Sequence, residues 1–162
     1  MGQDAAVAEE TNVDRVRGAY EATHARLWRA VLAFSGSREV TDDAVAEAFA
    51  QVLRRGDEVR DVEAWVWRSA FAIARGELAH RSFGGPAPAV EVGEPMPEPA
   101  VDLMRALGRL PAGDRELLVL VHIGGWAPSE LAEITGTSAS TVRVRLHRAN
   151  KRARAIFEGG AS

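Results

Sequence analysis

Apolar residues recur at intervals of three and four along most of the chain, which is the spacing of one buried face of an α-helix. In the first half, these stripes predict three helices: from Val13 to Phe34, from Thr41 to the stop at Gly56, and from about Asp61 to Arg81. Thr41 is a residue type that caps helices, so it is the expected start of the second one. We expect an N-terminal helical domain at residues 13–81, preceded by a flexible tail at residues 1–12.

Residues 82–100 interrupt the helical pattern. They hold five of the seven prolines, three glycines, three acids and no basic residue. Such a composition is typical of an extended linker that cannot bury a core of its own. The chain is therefore predicted to be all-α, with two small helical domains, the second at residues 101–158.

The second domain is expected to end in a helix-turn-helix unit. Its predicted elements are a short helix at Val101–Leu110, another at Asp114–Ile123, and the unit itself at Pro128–Phe157. Within the unit, Gly136 stands where a helix ends in a left-handed residue, and Ser138 stands where a helix begins with a capping hydroxyl. Two helices joined by so short a turn form the helix-turn-helix motif.

The last helix separates apolar from cationic residues. Its inward stripe consists of Val142, Leu146, Ala149, Ala153 and Ile156. Between Ser138 and Glu158 there are six Lys/Arg residues and one acid, in a chain whose net charge is −3. Because DNA responds to a local cationic patch, we interpret this face as a duplex-binding surface. The alternative is a solvated basic face with no ligand.

A recognition helix presents its N-terminal residues to base edges in the major groove. The base-reading candidates are Ser140, Thr141, Arg143, Val144 and His147. Arg148 and Lys151 lie further along and are expected to hold phosphates, with Arg152 or Arg154 as additional candidates.

The third helix carries an unusual outer face. It combines an aromatic side chain, two arginines and small residues: Trp65, Arg68, Ser69, Ala72 and Arg75. Stacking on the tryptophan and backbone contacts from the arginines would suit single-stranded DNA. The alternative is that Trp65 packs on a neighbouring helix and that the small residues allow close helix contact.

Several classes of function are disfavoured. Cysteine is absent, which removes disulfide scaffolds and thiolate metal sites. No apolar run is longer than Leu117–Val121, which is far too short to span a membrane, and we expect no signal peptide at residues 1–12. We expect a cytoplasmic protein with no cofactor and no metal. A small helical enzyme is a third hypothesis, but the histidines are scattered and no nucleotide-binding loop or nucleophile–base signature occurs.

The layout resembles an extracytoplasmic-function sigma factor of bacterial RNA polymerase over about residues 20–81 and 106–157. The more specific motifs lie in the second domain: LP at 110–111, RE at 115–116, GW at 125–126, ELA at 130–132 and STVRVRLHRA at 140–149. They are similar to the family's region 4, which binds the promoter −35 element and the polymerase β flap. In the first domain, Asp43, Glu47 and Phe49 resemble the region 2 helix that docks on the β′ clamp. The segment AWVWR at 64–68 resembles the part that recognises and melts the −10 element.

The resemblance implies three partners: core RNA polymerase, promoter DNA and a separate anti-sigma protein. The chain departs from the family at Ala72, Gly76 and Ala79, where asparagine, aspartate and arginine are common. These departures leave open a second hypothesis, a helix-turn-helix regulator derived from a sigma factor that no longer recruits polymerase.

Overall fold

The computed structural model describes residues 2–82 and 96–159, and every regular element in these ranges is helical. The α-helices are α1 (Gly2–Ser35), α2 (Arg38–Arg55), α3 (Val62–Ser82), α4 (Glu98–Gly108), α5 (Ala112–His122), α6 (Leu131–Thr135) and α7 (Ala139–Gly159). A single 3-10 turn, Gly56–Glu58, follows α2. The predicted all-α fold with a C-terminal helix-turn-helix is confirmed. Most of the predicted linker, residues 83–95, lies outside the described residues.

The N-terminal half is a three-helix unit in which α1, α2 and α3 pack on one another. Their inward stripes supply large, fully buried side chains, among them Phe34 of α1, Val52 of α2 and Phe71 of α3. Phe34 and Phe71 meet with ring centroids 5.4 Å apart. The apolar periodicity of each helix therefore accounts for the faces that meet.

Trp67 of α3 lies at the centre of this unit with no exposed surface. Its indole N–H donates to the Thr23 hydroxyl of α1 at 2.8 Å, so the one polar atom of the ring is satisfied. Burying that N–H without a partner would carry a desolvation cost. The hydrogen bond therefore fixes the rotation of α3 relative to α1.

The start of α2 differs from the prediction. The N-cap is Ser37, whose extended backbone lets its hydroxyl accept from the N–H of Val40 at 3.2 Å. Thr41 is instead buried in the first turn, and its hydroxyl donates to the Ser37 carbonyl at 2.7 Å. The prediction that Thr41 begins the helix was wrong, because a serine four residues earlier already satisfies the free N–H groups.

Helix α1 also begins earlier than predicted. Residues 2–12 continue it, although the sequence indicated a flexible tail. This segment is rich in alanine and glutamate, which favour helix, and nearly all of its side chains are exposed. Asn12 is buried, and its amide lies 3.5 Å from the Leu53 carbonyl of α2. The helix therefore continues by propagation from a packed segment rather than through an apolar stripe of its own.

The C-terminal half contains α4 to α7. Helix α4 begins at Glu98, inside the predicted linker, because a proline in the first turn has no N–H to lose. Helices α5 and α7 pack closely, and α6 contacts both α7 and α3. Leu120, Leu131 and Ile134 are buried in this half. The apolar cores of the two halves are continuous, since α1 also contacts α5 and α3 also contacts α6.

Among the described residues, none of the helices has the length and apolar content needed to cross a bilayer. The same residues contain no group of three or more potential metal ligands.

Replacing Thr23 with valine keeps the side-chain shape and leaves the Trp67 indole N–H buried without a partner. We expect Thr23→Val to lower the free energy of unfolding by ~1–3 kcal/mol, measured by urea denaturation followed by circular dichroism. Thr11→Val is the matched control, since the exposed Thr11 hydroxyl bonds only the Val7 carbonyl of its own helix. That control should change stability by less than about 0.5 kcal/mol. Equal effects of the two substitutions would contradict the central role of the Trp67 hydrogen bond.

Candidate nucleic-acid interface

The turn between α6 and α7 has the geometry that the sequence predicts. Gly136 ends α6 in the left-handed region at φ 71° and ψ 20°, which a residue with a Cβ adopts only at a cost. The Ser138 hydroxyl accepts from the N–H of Thr141 at 3.2 Å and so caps α7. Helix α6 is shorter than predicted, because Pro128 lies in a turn before Leu131 rather than in the helix.

The apolar stripe of α7 faces the protein. Val142 and Ala149 have no exposed surface. Leu146, Ala153 and Ile156 are partly buried against the same core. Packing of this stripe on α5 fixes the rotation of α7 about its axis, so the opposite face must point outward.

The outward face of α7 presents the predicted base-reading and phosphate-binding residues. Those with exposed side chains are Ser140, Arg143, Val144, His147, Arg148 and Lys151. Val144 is 51% exposed, so its methyl groups are accessible to a ligand. Thr141 is half-buried, and its hydroxyl lies 2.8 Å from that of Ser138. It therefore supports the helix cap as well as lining the start of the face.

Arg152 is exposed but pairs with an acid of a neighbouring helix. Its guanidinium forms an ion pair with Asp114 of α5, whose side chain is 12% exposed. This contact ties α7 to α5 and engages Arg152, which the sequence offered as an additional phosphate ligand. The periodicity of α7 does not reveal this, because the partner is 38 residues away.

The predicted single-strand surface on α3 is partly exposed and partly engaged. Arg68 and Ala72 are exposed, while Ser69 is half-buried. Trp65 is partly buried against the core, and the guanidinium of Arg55 lies 5.6 Å from its ring centroid. Trp65 thus packs in part against its neighbours, which was the alternative to a role in binding single-stranded DNA.

The arginine at the end of this surface has a partner in the other half of the chain. The Arg75 guanidinium lies 3.2 Å from the Glu116 carboxylate of α5. Burial raises the pKa of Glu116, and Arg75 opposes that rise through its charge and hydrogen bond. From the sequence, Arg75 was assigned to the single-strand surface and Glu116 appeared only within the RE motif at 115–116. Their pairing was not predicted, because no local signal connects two residues on separate helices.

The small residues of α3 do not serve close helix contact at Gly76. A Cβ added there would meet no heavy atom within 4 Å. Gly76 and Ala79 are both exposed. Their size therefore leaves an open surface rather than a packed one.

The predicted polymerase-binding residues of α2 occupy different environments. Asp43 and Glu47 are exposed. Hydrogen bonds from Arg54 at 2.7 Å and Gln51 at 3.1 Å hold the pKa of Glu47 below its usual value. Phe49 is only 6% exposed and packs edge-on against Tyr20. A partner would thus meet the two carboxylates directly but little of Phe49.

Sequence reasoning missed an apolar groove of about 510 Å³ between α1 and α2. Phe49 lies in its floor, while Tyr20 and Leu53 line it and are 45% and 47% exposed. The apolar spacing places Tyr20 and Leu53 on the buried stripes of their helices, whereas the structure leaves both exposed beside Phe49. No signal in the sequence distinguishes them from the buried members of those stripes.

The C-terminal part of the chain matches a known family. Residues 100–152 match the family model of sigma-70 region 4, which covers about one third of the chain. No curated protein matches the chain by sequence. This match confirms the predicted resemblance of the second domain to sigma-70 region 4.

Two solved structures share the fold of nearly the whole chain. CnrH, in complex with the cytosolic domain of CnrY, is 23% identical with a TM-score of 0.73, covering 96% of this chain and 95% of that one. The sigma factor RpoE, in complex with the anti-sigma factor NepR from Bartonella quintana, is 17% identical with a TM-score of 0.71. That match covers 90% of this chain and 95% of the other. At these identities, the likeness shows the arrangement of the helices.

The left-handed turn makes Gly136 sensitive to substitution. Gly136→Ala should lower the free energy of unfolding by ~1–2 kcal/mol, because a Cβ disfavours this conformation. Gly18→Ala is the control, since Gly18 lies inside α1 with no atom near an added Cβ and should gain up to ~1 kcal/mol. Chemical denaturation monitors both variants. Stabilisation by both would contradict the turn geometry.

Proposed function

We propose that this chain, whose C-terminal third matches sigma-70 region 4, is an extracytoplasmic-function sigma factor that directs bacterial RNA polymerase to promoters. One observation carries the proposal. Within the segment that matches region 4, the outward face of α7 is cationic and exposed, while its apolar face is locked onto α5. Such a protein supplies the promoter address, and polymerase supplies the catalysis. A protein with these partners acts in the cytoplasm.

The −35 element would be read by the first turns of α7 in the major groove. Arg143 can bridge the O6 and N7 atoms of a guanine, and the exposed methyl groups of Val144 suit a thymine methyl. Ser140 and His147 can each hydrogen-bond a base edge. Thr141, at the cap, would meet the backbone or the first base of the site.

Phosphate contacts would come from Arg148 and Lys151, which follow His147 on α7. Arg152 is engaged by Asp114, so the cationic face is narrower than the charge count suggests. Few phosphate contacts imply modest affinity with a shallow salt dependence. The isolated protein should therefore bind promoter duplex weakly and depend on polymerase for a stable complex.

The −10 element would be captured as unstacked bases on the α3 surface. Trp65 offers a partly exposed ring for stacking, worth about 1–3 kcal/mol per base, and Arg68 and Arg75 offer charge for the backbone. Stacking on this scale offsets the few kcal/mol needed to take a base out of the duplex. Ser69 and Ala72 would form the floor of the same surface.

Polymerase would bind α2 and the adjoining groove. Asp43 and Glu47 present carboxylates to a cationic partner surface, and the groove beside Phe49 presents apolar area. Charged groups around an apolar centre are typical of protein interfaces. The β′ clamp is the proposed partner here, and the β flap is the proposed partner of the region 4 domain.

An anti-sigma protein is the proposed regulator. RpoE, which shares this fold, was solved in complex with the anti-sigma factor NepR, and CnrH in complex with the cytosolic domain of CnrY. A protein with the same helical arrangement offers comparable surfaces to such a partner.

One observation favours a second candidate, a DNA-binding regulator that no longer recruits polymerase. The α3 surface carries Ala72 and Gly76 in place of polar residues, and its Arg75 is paired with Glu116. A chain that retained only −35 binding would tolerate these changes. The two candidates differ in whether the protein binds core polymerase.

Arg143→Ala should weaken binding to the preferred duplex by ~1–3 kcal/mol and relax the base preference at one position. The preferred site is first selected from a random duplex library, and affinities are then measured by fluorescence anisotropy. Arg145→Ala removes the same charge from an exposed position of the same helix. It should weaken all sequences similarly, as should Lys151→Ala. Unchanged specificity in Arg143→Ala would rule out its assignment as a base reader.

Glu47→Lys should weaken binding to core polymerase roughly tenfold, equivalent to ~1.4 kcal/mol, because it reverses a charge facing a cationic partner. Asp57→Lys, an equally large charge change on the exposed 3-10 turn, is the control. Binding is measured by competition with a labelled copy of the chain. Run-off transcription with sequencing of RNA 5′ ends then tests promoter use. Wild-type protein that fails to bind core polymerase would support the regulator instead.

A further inference from the structure

The C-terminal half covers part of the surface proposed to capture single-stranded DNA. The Nε atom of Arg75 lies 3.2 Å from the Oε1 atom of Glu116 in an ion pair, and the Glu116 side chain is only 9% exposed. Arg75 itself remains 41% exposed, so its guanidinium sits at the rim of the contact between α3 and α5. A nucleic-acid phosphate approaching Arg75 would have to displace a carboxylate that is already there.

A second carboxylate lies at the other end of the same surface. Glu133 of α6 lines a cleft of about 290 Å³ together with Trp65 and Arg68 of α3. The cleft also receives Arg60 and Asp61 from the segment before α3. The C-terminal half thus contributes an acid at each end of the proposed single-strand surface, Glu116 in contact with Arg75 and Glu133 in the same cleft as Arg68.

Apolar contacts support this arrangement between the two acids. The rings of Trp67 and Trp126 meet edge-on with centroids 5.7 Å apart. Gly124 is buried, and a Cβ there would lie 2.9 Å from the Trp67 ring, so only glycine permits the approach. Arg115 of α5 places its guanidinium 5.3 Å from the centroid of the Phe34 ring. The C-terminal half is therefore seated on α1 and α3 by close packing as well as by charge.

We propose that the C-terminal half acts as an intramolecular lid on the Trp65–Arg75 surface, with Glu116 and Glu133 occupying the places of nucleic-acid phosphates. The outward face of α7 stays open in the same arrangement, so the closed protein can meet a −35 duplex but not unstacked −10 bases. This inference rests on the proposed function of the α3 surface. It adds that the free chain suppresses its own −10 binding without any anti-sigma protein.

The chemistry of the contact suits a reversible lid. Desolvation of Glu116 works against its ionised form, which limits what the ion pair with Arg75 contributes to closure. A closed state that is only moderately favoured reduces apparent affinity by the fraction of open molecules, and a partner that binds the open form restores it. Polymerase is the proposed partner, and its binding would provide the free energy needed to hold the open form.

Closure is measured by energy transfer within the full chain. The protein has no cysteine, so Ala25→Cys and Ala155→Cys, both at exposed positions, can be labelled specifically with a donor and an acceptor. Glu116→Arg places two positive charges at the contact between residues 75 and 116, and Arg75→Glu places two negative charges there. Repulsion in either variant should open the contact. Each single variant should lower the transfer efficiency, and the double variant Arg75→Glu/Glu116→Arg should restore it. Circular dichroism reports whether each variant keeps its helix content.

Uncovering of the surface is measured by anisotropy with a short fluorescein-labelled single-stranded DNA of mixed sequence. Glu116→Arg should bind this probe about tenfold more tightly than wild type, as expected when an uncommon open form becomes dominant. Asp102→Arg is the matched control, because it makes the same charge change in the C-terminal half on α4, in an exposed ion pair with Arg105. It should bring a much smaller gain.

Unchanged transfer efficiency in folded Glu116→Arg and Arg75→Glu would overturn the lid. If Glu116→Arg loses helix content, the transfer efficiency of Arg75→Glu alone tests the lid. Residue 75 is 41% exposed, so a change there disturbs the core less. Failure of the double variant to restore transfer would also overturn the ion pair as part of the lid. Equal DNA binding by Glu116→Arg and Asp102→Arg would contradict the claim that the C-terminal half covers the Trp65–Arg75 surface. Run-off transcription by the wild-type chain is scored separately, so the lid can fail while the sigma function stands.

Discussion

Burial of Trp67 is the constraint on which the rest of the structure depends. Its indole N–H is satisfied by Thr23 of α1, its ring stacks near Phe71 of its own helix, and Trp126 of the C-terminal half meets its edge. One side chain thus sets the rotation of α3 against α1 and also provides the surface on which the other half of the chain rests. Because a buried indole has little rotational freedom, these three relations are coupled. Because the contact between Trp67 and Thr23 fixes which face of α3 points inward, it also fixes which face points outward.

The two proposed DNA surfaces follow from this packing in opposite ways. The face of α7 is exposed because the apolar stripe of that helix is used up on α5, and Asp114 fixes its end through Arg152. The face of α3 is partly covered because α6 packs on it with Glu133 in the shared cleft, and because Glu116 of α5 pairs with Arg75. A single arrangement of helices therefore offers a duplex-binding surface while it restricts a single-strand surface. On this proposal, binding of the −35 duplex by α7 would come before capture of unstacked −10 bases by α3.

Electrostatics in this chain operates locally rather than through net charge. The chain as a whole is acidic, yet α7 carries a concentrated positive face and α2 presents carboxylates beside an apolar groove. Screening in salt limits the reach of each surface to about 10 Å, so the surfaces do not cancel. The same reasoning explains how acids of one half can compete with nucleic acid at the arginines of the other. Arg75 and Glu116, 3.2 Å apart, lie well within that range.

The sequence by itself determined the features that depend on neighbours along the chain. The 3.6-residue period predicted the helices and their buried faces, Gly136 and Ser138 predicted the turn and cap before α7, and the clustered arginines predicted its cationic face. Contacts between distant residues were decided only by tertiary structure. These include the pairing of Arg75 with Glu116, the loss of Arg152 to Asp114 and the burial of Phe49 under Tyr20. The start of α2 was a local matter that was predicted wrongly, since Ser37 rather than Thr41 caps the helix. The physical reason is that periodicity and capping act within one or two turns of helix, whereas the partner of a side chain depends on which helices pack together.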